Sequence, residues 1–244
     1  MASKRYKGKD CAYCGAIGAS RAPDHVIARE FFLERDRGNL PQVPTCDPCN
    51  NMKSALEHYA TAVLMAGTNH SDGDLYRKTK VAPRIRRNRK YQEELGLYDP
   101  PVWINIRGVT QQMHIIKIDS DKINALMALI VRGLYFFHFA RPLATTFRPY
   151  ISMFHPHHEP VMLHGLSKFF PDDAPRVKGN LGRGGFVYEG IQSPAHEALT
   201  LWRMIWHGGI RLHGDNSPPD GVEAFWGVTR PTPEALAALV QAGG

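Results

Sequence analysis

Cysteine is confined to four positions, Cys11, Cys14, Cys46 and Cys49, and does not recur in the remaining 195 residues of the 244-residue chain. That scarcity excludes a disulfide-stapled secreted scaffold, which spreads many cysteines over a short chain. Long apolar runs are also missing. The longest, near 123–139, is broken by Asn124, Arg132 and His138 and reads as a buried helix, not a membrane span. The opening Met-Ala-Ser-Lys-Arg-Tyr-Lys lacks the apolar segment of a signal peptide. The expectation is a cytoplasmic protein without membrane attachment. Internal repeats and low-complexity tracts are absent too, which excludes solenoids and fibrous arrays.

What is present is an ordinary globular composition, 43% hydrophobic and 22% charged, with a net charge of +7. The charge is unevenly placed. Residues 1–98 hold 17 Lys and Arg against 11 Asp and Glu, whereas residues 99–244 hold 13 against 12. A basic excess concentrated in one part suits a polyanionic partner.

The chemistry-bearing stretch is 11–53. Cys11-Ala-Tyr-Cys14 and Cys46-Asp-Pro-Cys49 are two Cys-x-x-Cys knuckles. Thiolates three residues apart reach one tetrahedral ion, and two such pairs complete a closed four-sulfur zinc site, structural because no position is left for water. Between the knuckles lies Asp24-His25, and Asn50 follows Cys49 directly. Cross-linking the knuckles should bring these polar groups together at the start of a helix. That helix is expected from Pro48 onward, because Met52, Leu56, Tyr59, Ala60, Val63 and Leu64 recur at helical spacing. A carboxylate and an amide carbonyl are hard ligands suited to Mg2+ or Mn2+. A histidine beside them, with an ordinary pKa of about 6.5, is available to take a proton from water.

Cys11-x-x-Cys14, Asp24-His25, Asn39, Cys46-x-x-Cys49-Asn50 and Lys53 together resemble the zinc-containing branch of the HNH (ββα-metal) endonucleases. Phage recombination endonucleases with a four-cysteine zinc and an Asp-His…Asn site belong to the same group. The resemblance covers about residues 8–60. It implies Zn2+ as a structural metal, Asp24 and Asn50 as ligands of a catalytic Mg2+ or Mn2+, and His25 as general base. It also implies that Asn39 steadies the loop carrying that base. The gap from Asn39 to Cys46, containing Pro41 and Pro44, is longer than many members show. The implied activity is one-metal hydrolysis of DNA, expected to be double-stranded, leaving 5′-phosphate and 3′-hydroxyl ends. The competing expectation is a zinc-containing module that binds nucleic acid without cutting it.

Two parts are expected, giving an α+β protein. Residues 1–98 would form the zinc-held ββα-metal nuclease module with a basic helical extension. Residues 99–244, after Asp99-Pro100-Pro101, would form an α+β domain with an antiparallel sheet that selects substrate, dimerises or docks an activating protein. Lys53, Arg84, Arg86, Arg87, Arg89 and Lys90 are the expected phosphate contacts, against the alternative of a solvated face. In the second part, a hairpin around Gly108, a helix over 121–140 capped by Ser120, strands near 148–154, 185–188, 196–205 and 222–228, and a terminal helix over 231–242 are expected. His155-Pro-His157-His158-Glu159 reads as a surface turn with metal binding as the alternative. The glycine-rich 179–185 reads as a flexible turn, and Trp202, Trp206 and Trp226 as core.

Overall fold

The computed structural model describes residues 5–66, 68, 70–106, 108–113, 117–154, 156–210 and 224–242. Near the N-terminus, β1 (Ala22–His25) and β2 (Gln42–Thr45) pair antiparallel, with His25 opposite Gln42 and Asp24 opposite Val43. Helix α1 (Asp47–Ala66) follows β2 after a single residue, Cys46. Pro48 sits in its first turn, where a missing N–H costs nothing. Short helices α2 (Ser71–Tyr76), α3 (Ala82–Arg86) and α4 (Arg89–Glu94) then form the expected basic extension, with a π-turn over Arg77–Val81 between the first two.

Beyond it lie the hairpin β3 (Val102–Ile106) and β4 (Val109–Met113), and the long helix α5 (Ser120–Phe139). A five-stranded antiparallel sheet is built from β5 (Phe147–Phe154), β6 (Arg176–Leu181), β7 (Phe186–Gln192), β8 (Thr200–Trp206) and β9 (Ala224–Pro231), in the order β5-β9-β8-β7-β6. Helices α6 (Glu159–Leu166) and α7 (Pro233–Ala242) complete a mixed α+β architecture.

α5 joins the parts. It packs on α1 and β2 on one side and on β5 and β9 on the other. Two glycines set how closely. A Cβ on Gly133 would stand 2.8 Å from the Val26 side chain beside β1, and one on Gly227 would stand 2.8 Å from Val131 of α5. Phe31 then packs against Trp206 of the sheet, the rings tilted with centroids 4.5 Å apart, so one buried apolar cluster runs across the boundary at Asp99. Among the described residues α5 is also the one helix long and apolar enough to cross a membrane, and half of that stretch is buried in the fold.

Several details differ from expectation. The cap of α5 is Asp119, not Ser120: its carboxylate accepts from the amides of Asp121 and Lys122, both at 3.1 Å, and its negative charge suits a helix start. Gly179 lies inside β6, where a side chain would collide with the Tyr188 ring opposite, so that glycine serves packing and only 182–185 turn. Helix α6 arises where a turn was expected, Pro160 falling in its first turn. β8 starts at Thr200, after a turn in which His196 Nδ1 accepts from the Ala198 amide. Val222 and Glu223, expected in a strand, lie outside the described residues, as does His155. His157 and His158 are exposed. The four-cysteine group is the ligand cluster found among the described residues.

Candidate metal centre and catalytic cluster

The first knuckle is fastened to the hairpin by the Ala12 amide, which donates to Pro44 of β2 at 2.9 Å. The second knuckle spans the junction of β2 and α1, and the Asn50 amide closes the first helical bond onto Cys46 at 3.0 Å. All four Sγ atoms consequently lie within 4.8 Å of one another. Cys14 and Cys46 stand 3.8 Å apart, too far for a disulfide. That spacing matches the edge of a tetrahedron with Zn–S bonds of about 2.3 Å, so the cluster can hold a metal ion such as zinc. Burial works against ionising Cys11, but the backbone amides of Cys14, Cys46 and Tyr13 outweigh it and bring its pKa down to about 7. Burial and the neighbouring thiols push Cys49 far up instead. Four such thiols cannot all ionise without a cation. On α5, burial lowers the Arg132 pKa while the charges of Cys14 and Cys49 act to raise it, which places a fixed positive charge beside the sulfurs.

Across the hairpin lies a second cluster. The Asp24 carboxylate accepts from the Tyr13 hydroxyl at 2.5 Å and pairs with Lys53 Nζ at 3.0 Å, both through Oδ2. Lys53 is fully buried, and its ammonium also donates to the His25 carbonyl at 2.7 Å and to Glu57, one turn along α1. The expected phosphate contact at Lys53 is therefore corrected: the side chain points inward, and its three donors are used inside the protein. Burial drives the Glu57 pKa up to about 7, with Lys53 opposing. Burial, then the Asp24 charge, holds the Tyr13 phenol protonated as a donor.

His25 is half-buried at the end of β1. The Gln42 amide nitrogen faces its Nε2 at 3.0 Å, leaving Nδ1 without a partner. Burial lowers the His25 pKa, and the charges of Arg29 and Lys53 reinforce this against Asp24, so the ring is neutral at pH 7. Asn50 stands half-buried in the first turn of α1, its side-chain amide making no hydrogen bond among the described residues.

Asn39 departs from its expected role. It is exposed at φ 57°, a left-handed turn conformation that asparagine tolerates, and the hydrogen bond to the His25 ring comes from Gln42 instead. Among the basic residues, Arg84 is also corrected. It bridges Glu30 at 3.2 Å, the His58 carbonyl at 3.2 Å and the Thr61 hydroxyl, stapling the extension to α1. Arg89 pairs with Glu93 at 3.0 Å. Arg86, Arg87 and Lys90 are exposed and form no ion pair among the described residues.

No family model, curated protein or solved structure matches this chain. Its chemistry must be argued from its own residues. Tyr13, Gln42 and Glu57 were not anticipated in the site. The Lys53–Glu57 spacing of four was a visible signal for one of them, and Gln42 follows once the hairpin register is known.

Proposed function

We propose that this chain is a metal-dependent HNH-type endonuclease that hydrolyses DNA phosphodiester bonds in the cytoplasm. The observation supporting this most is the order of parts: Asp24-His25 leaves β1, β2 returns, and Asn50 lies in the first turn of α1, all framed by four converging thiols. Asp24 keeps Oδ1 clear of the contacts made through Oδ2, and the Asn50 carbonyl is unengaged, so these two oxygens are the ligands offered to Mg2+ or Mn2+. Such an ion supplies charge stabilisation at the scissile phosphate and the leaving oxygen. The protein supplies the base. As placed, the Gln42 amide nitrogen faces His25 Nε2. Exchanging the carboxamide's oxygen and nitrogen in the same position lets that oxygen accept from Nε2–H, and in that tautomer Nδ1 carries the lone pair that takes a proton from the attacking water. Lys53 holds the backbone at His25 and the Asp24 carboxylate in one place, limiting the reorientation needed before reaction.

The test is nicking of supercoiled plasmid with Mg2+ or Mn2+, wild type beside His25→Ala. Loss of cutting of about 100-fold or more is expected, since general-base removal typically costs 10²–10⁴; equal cutting sinks the mechanism. One observation favours the non-catalytic reading: Asp24 already has a cationic partner in Lys53. That reading predicts salt-sensitive nucleic-acid binding and no cleavage with any divalent metal.

A further inference from the structure

A cleft of about 710 Å3 opens beside the hairpin, between the N-terminal arm, the residues leading into β2 and the carboxyl end of α5. Its walls include Tyr6, Lys9, Asn39, Gln42, Phe136 and Phe137. Gln42 makes the connection to chemistry, since the same side chain faces the His25 ring at 3.0 Å. Gln42 thus stands between the cleft and the Nε2 side of the candidate base, and His25 itself does not line the cleft. Phe137 is 46% exposed, between the partly buried Phe136 and His138, with the His138 ring set edge-to-face against it at 5.1 Å. Of the charged residues lining the cleft, Lys9 is exposed and makes no ion pair with an acidic residue among the described residues. The nearby Asp10 carboxylate accepts from the Gly18 amide at 2.9 Å.

We infer that this cleft receives an unpaired nucleotide flanking the cut, its base against Phe137 and its phosphate at Lys9. The inference rests on the nuclease reading above and narrows its substrate to nucleic acid with single-stranded character near the scissile bond. Three features decide the orientation. The volume suits one small ligand. Phe137 offers a flat apolar face, the usual platform for an unstacked base, and a base inside a duplex cannot reach such a platform. The carbonyl end of α5, at Ala140, forms part of the floor. Its partial negative charge repels phosphate and accepts from base amino groups, which leaves the phosphate at the cationic rim.

The test uses the full chain without divalent metal, titrated by fluorescence anisotropy against a 20-mer single strand, a blunt duplex of the same sequence, and that duplex with a single-stranded flap. Those probe lengths are about the span of a small protein's footprint. Wild type should bind the single strand and the flap about 10-fold more tightly than the blunt duplex. Phe137→Ala should lose about 10-fold on those two probes and little on the duplex, with Phe137→Trp retaining the preference. Lys9→Glu should weaken binding and reduce the salt slope by about one. Unchanged single-strand affinity in Phe137→Ala, with its unfolding temperature preserved, overturns the inference, as does equal wild-type affinity for all three probes. Plasmid nicking separates the two readings. A Phe137-dependent preference without any cleavage upholds the cleft against the mechanism, and His25-dependent nicking without the preference does the reverse.

Discussion

The two polar clusters flanking the β1–β2 hairpin balance their charge differently. On one side four sulfurs converge within 4.8 Å, and the nearby cation is Arg132, whose guanidinium is spent on the Phe147 carbonyl at 3.2 Å. On the other side, Asp24 and Glu57 enclose Lys53, one ammonium shared by two carboxyl groups, of which burial raises the Glu57 pKa to about 7. The thiol cluster is therefore incomplete as a protein-only structure, because thiolates crowded without a cation repel and protonated thiols leave the geometry unused. The carboxylate cluster already has a cation of its own. A divalent ion arriving at Asp24 must add to a carboxylate already held in place, using the oxygen that Lys53 and Tyr13 leave alone. One cluster is arranged as a metal ion such as zinc would require, and the other is already held together by protein groups.

The largest effect that can break this contrast is metal removal. Structural zinc contributes on the order of 10 kcal/mol or more in small zinc-dependent folds, so Cys49→Ser or a strong chelator should unfold the hairpin and α1 together. Elemental analysis should give one zinc per chain, lost with that unfolding. A chain that purifies without metal and melts unchanged removes the first half of the comparison. Next in size is Lys53→Met. It strands Asp24 and Glu57 against each other in a buried site, and leaving a buried charge unpaired costs about 3–5 kcal/mol. The double change Lys53→Met with Glu57→Leu should recover part of that loss in denaturant unfolding. Full additivity of the two would show that the residues do not act as a pair.

These contrasts were only half legible in the sequence. The convergence of the four cysteines was, because thiols at that fixed spacing have few other uses, and α1 was, because its apolar period is regular. The mixed α+β class with antiparallel pairing also followed from alternating segments and turn residues. The carboxylate cluster was hidden. Tyr13 reaches Asp24 across 11 residues, and although the Lys53–Glu57 spacing of four is visible, nothing local says that this pair turns inward instead of toward solvent. Gly179 misled for a related reason: a glycine that makes room for Tyr188 looks the same in sequence as one that frees a turn. Local pattern reports propensity, whereas these residues were chosen by partners distant along the chain.

A buried polar group with neither metal nor counter-charge sharpens the comparison. His207, at φ 44° after β8, is 2% exposed, and neither ring nitrogen has a hydrogen bond. Burial lowers its pKa to about 4, the nearby His70 adds to the effect, and the Phe31 carbonyl and Asp72 oppose it. The folded chain therefore binds this proton less well than the unfolded chain, whose histidine titrates near 6.5. The stability it contributes is present above about pH 6.5 and is lost as pH falls toward 4, amounting to about 3 kcal/mol. His207→Asn, which tolerates the left-handed backbone, should flatten that part of the stability profile in denaturant titrations at pH 4.5 and 7. An unchanged slope would assign the acid sensitivity elsewhere.

The smallest expected effect tests the carboxylate cluster alone. Tyr13→Phe keeps the ring volume and the apolar contacts but removes the hydroxyl that donates to Asp24 at 2.5 Å. Lys53 remains, so charge balance survives, and the cost should be that of one lost hydrogen bond to a charged group, about 1–3 kcal/mol. In a chain of this size that lowers the melting temperature by roughly 2–4 °C per kcal/mol. If Asp24 is a metal ligand pre-oriented by Tyr13, loosening it should also raise the Mg2+ concentration needed for half-maximal nicking by about 10-fold or more, as outer partners of metal ligands typically do. A purely structural cluster would show the melting shift with no change in metal dependence, because Lys53 by itself would still fix the fold. The two readouts together decide whether the cluster was built to carry a metal or only to bury a charge.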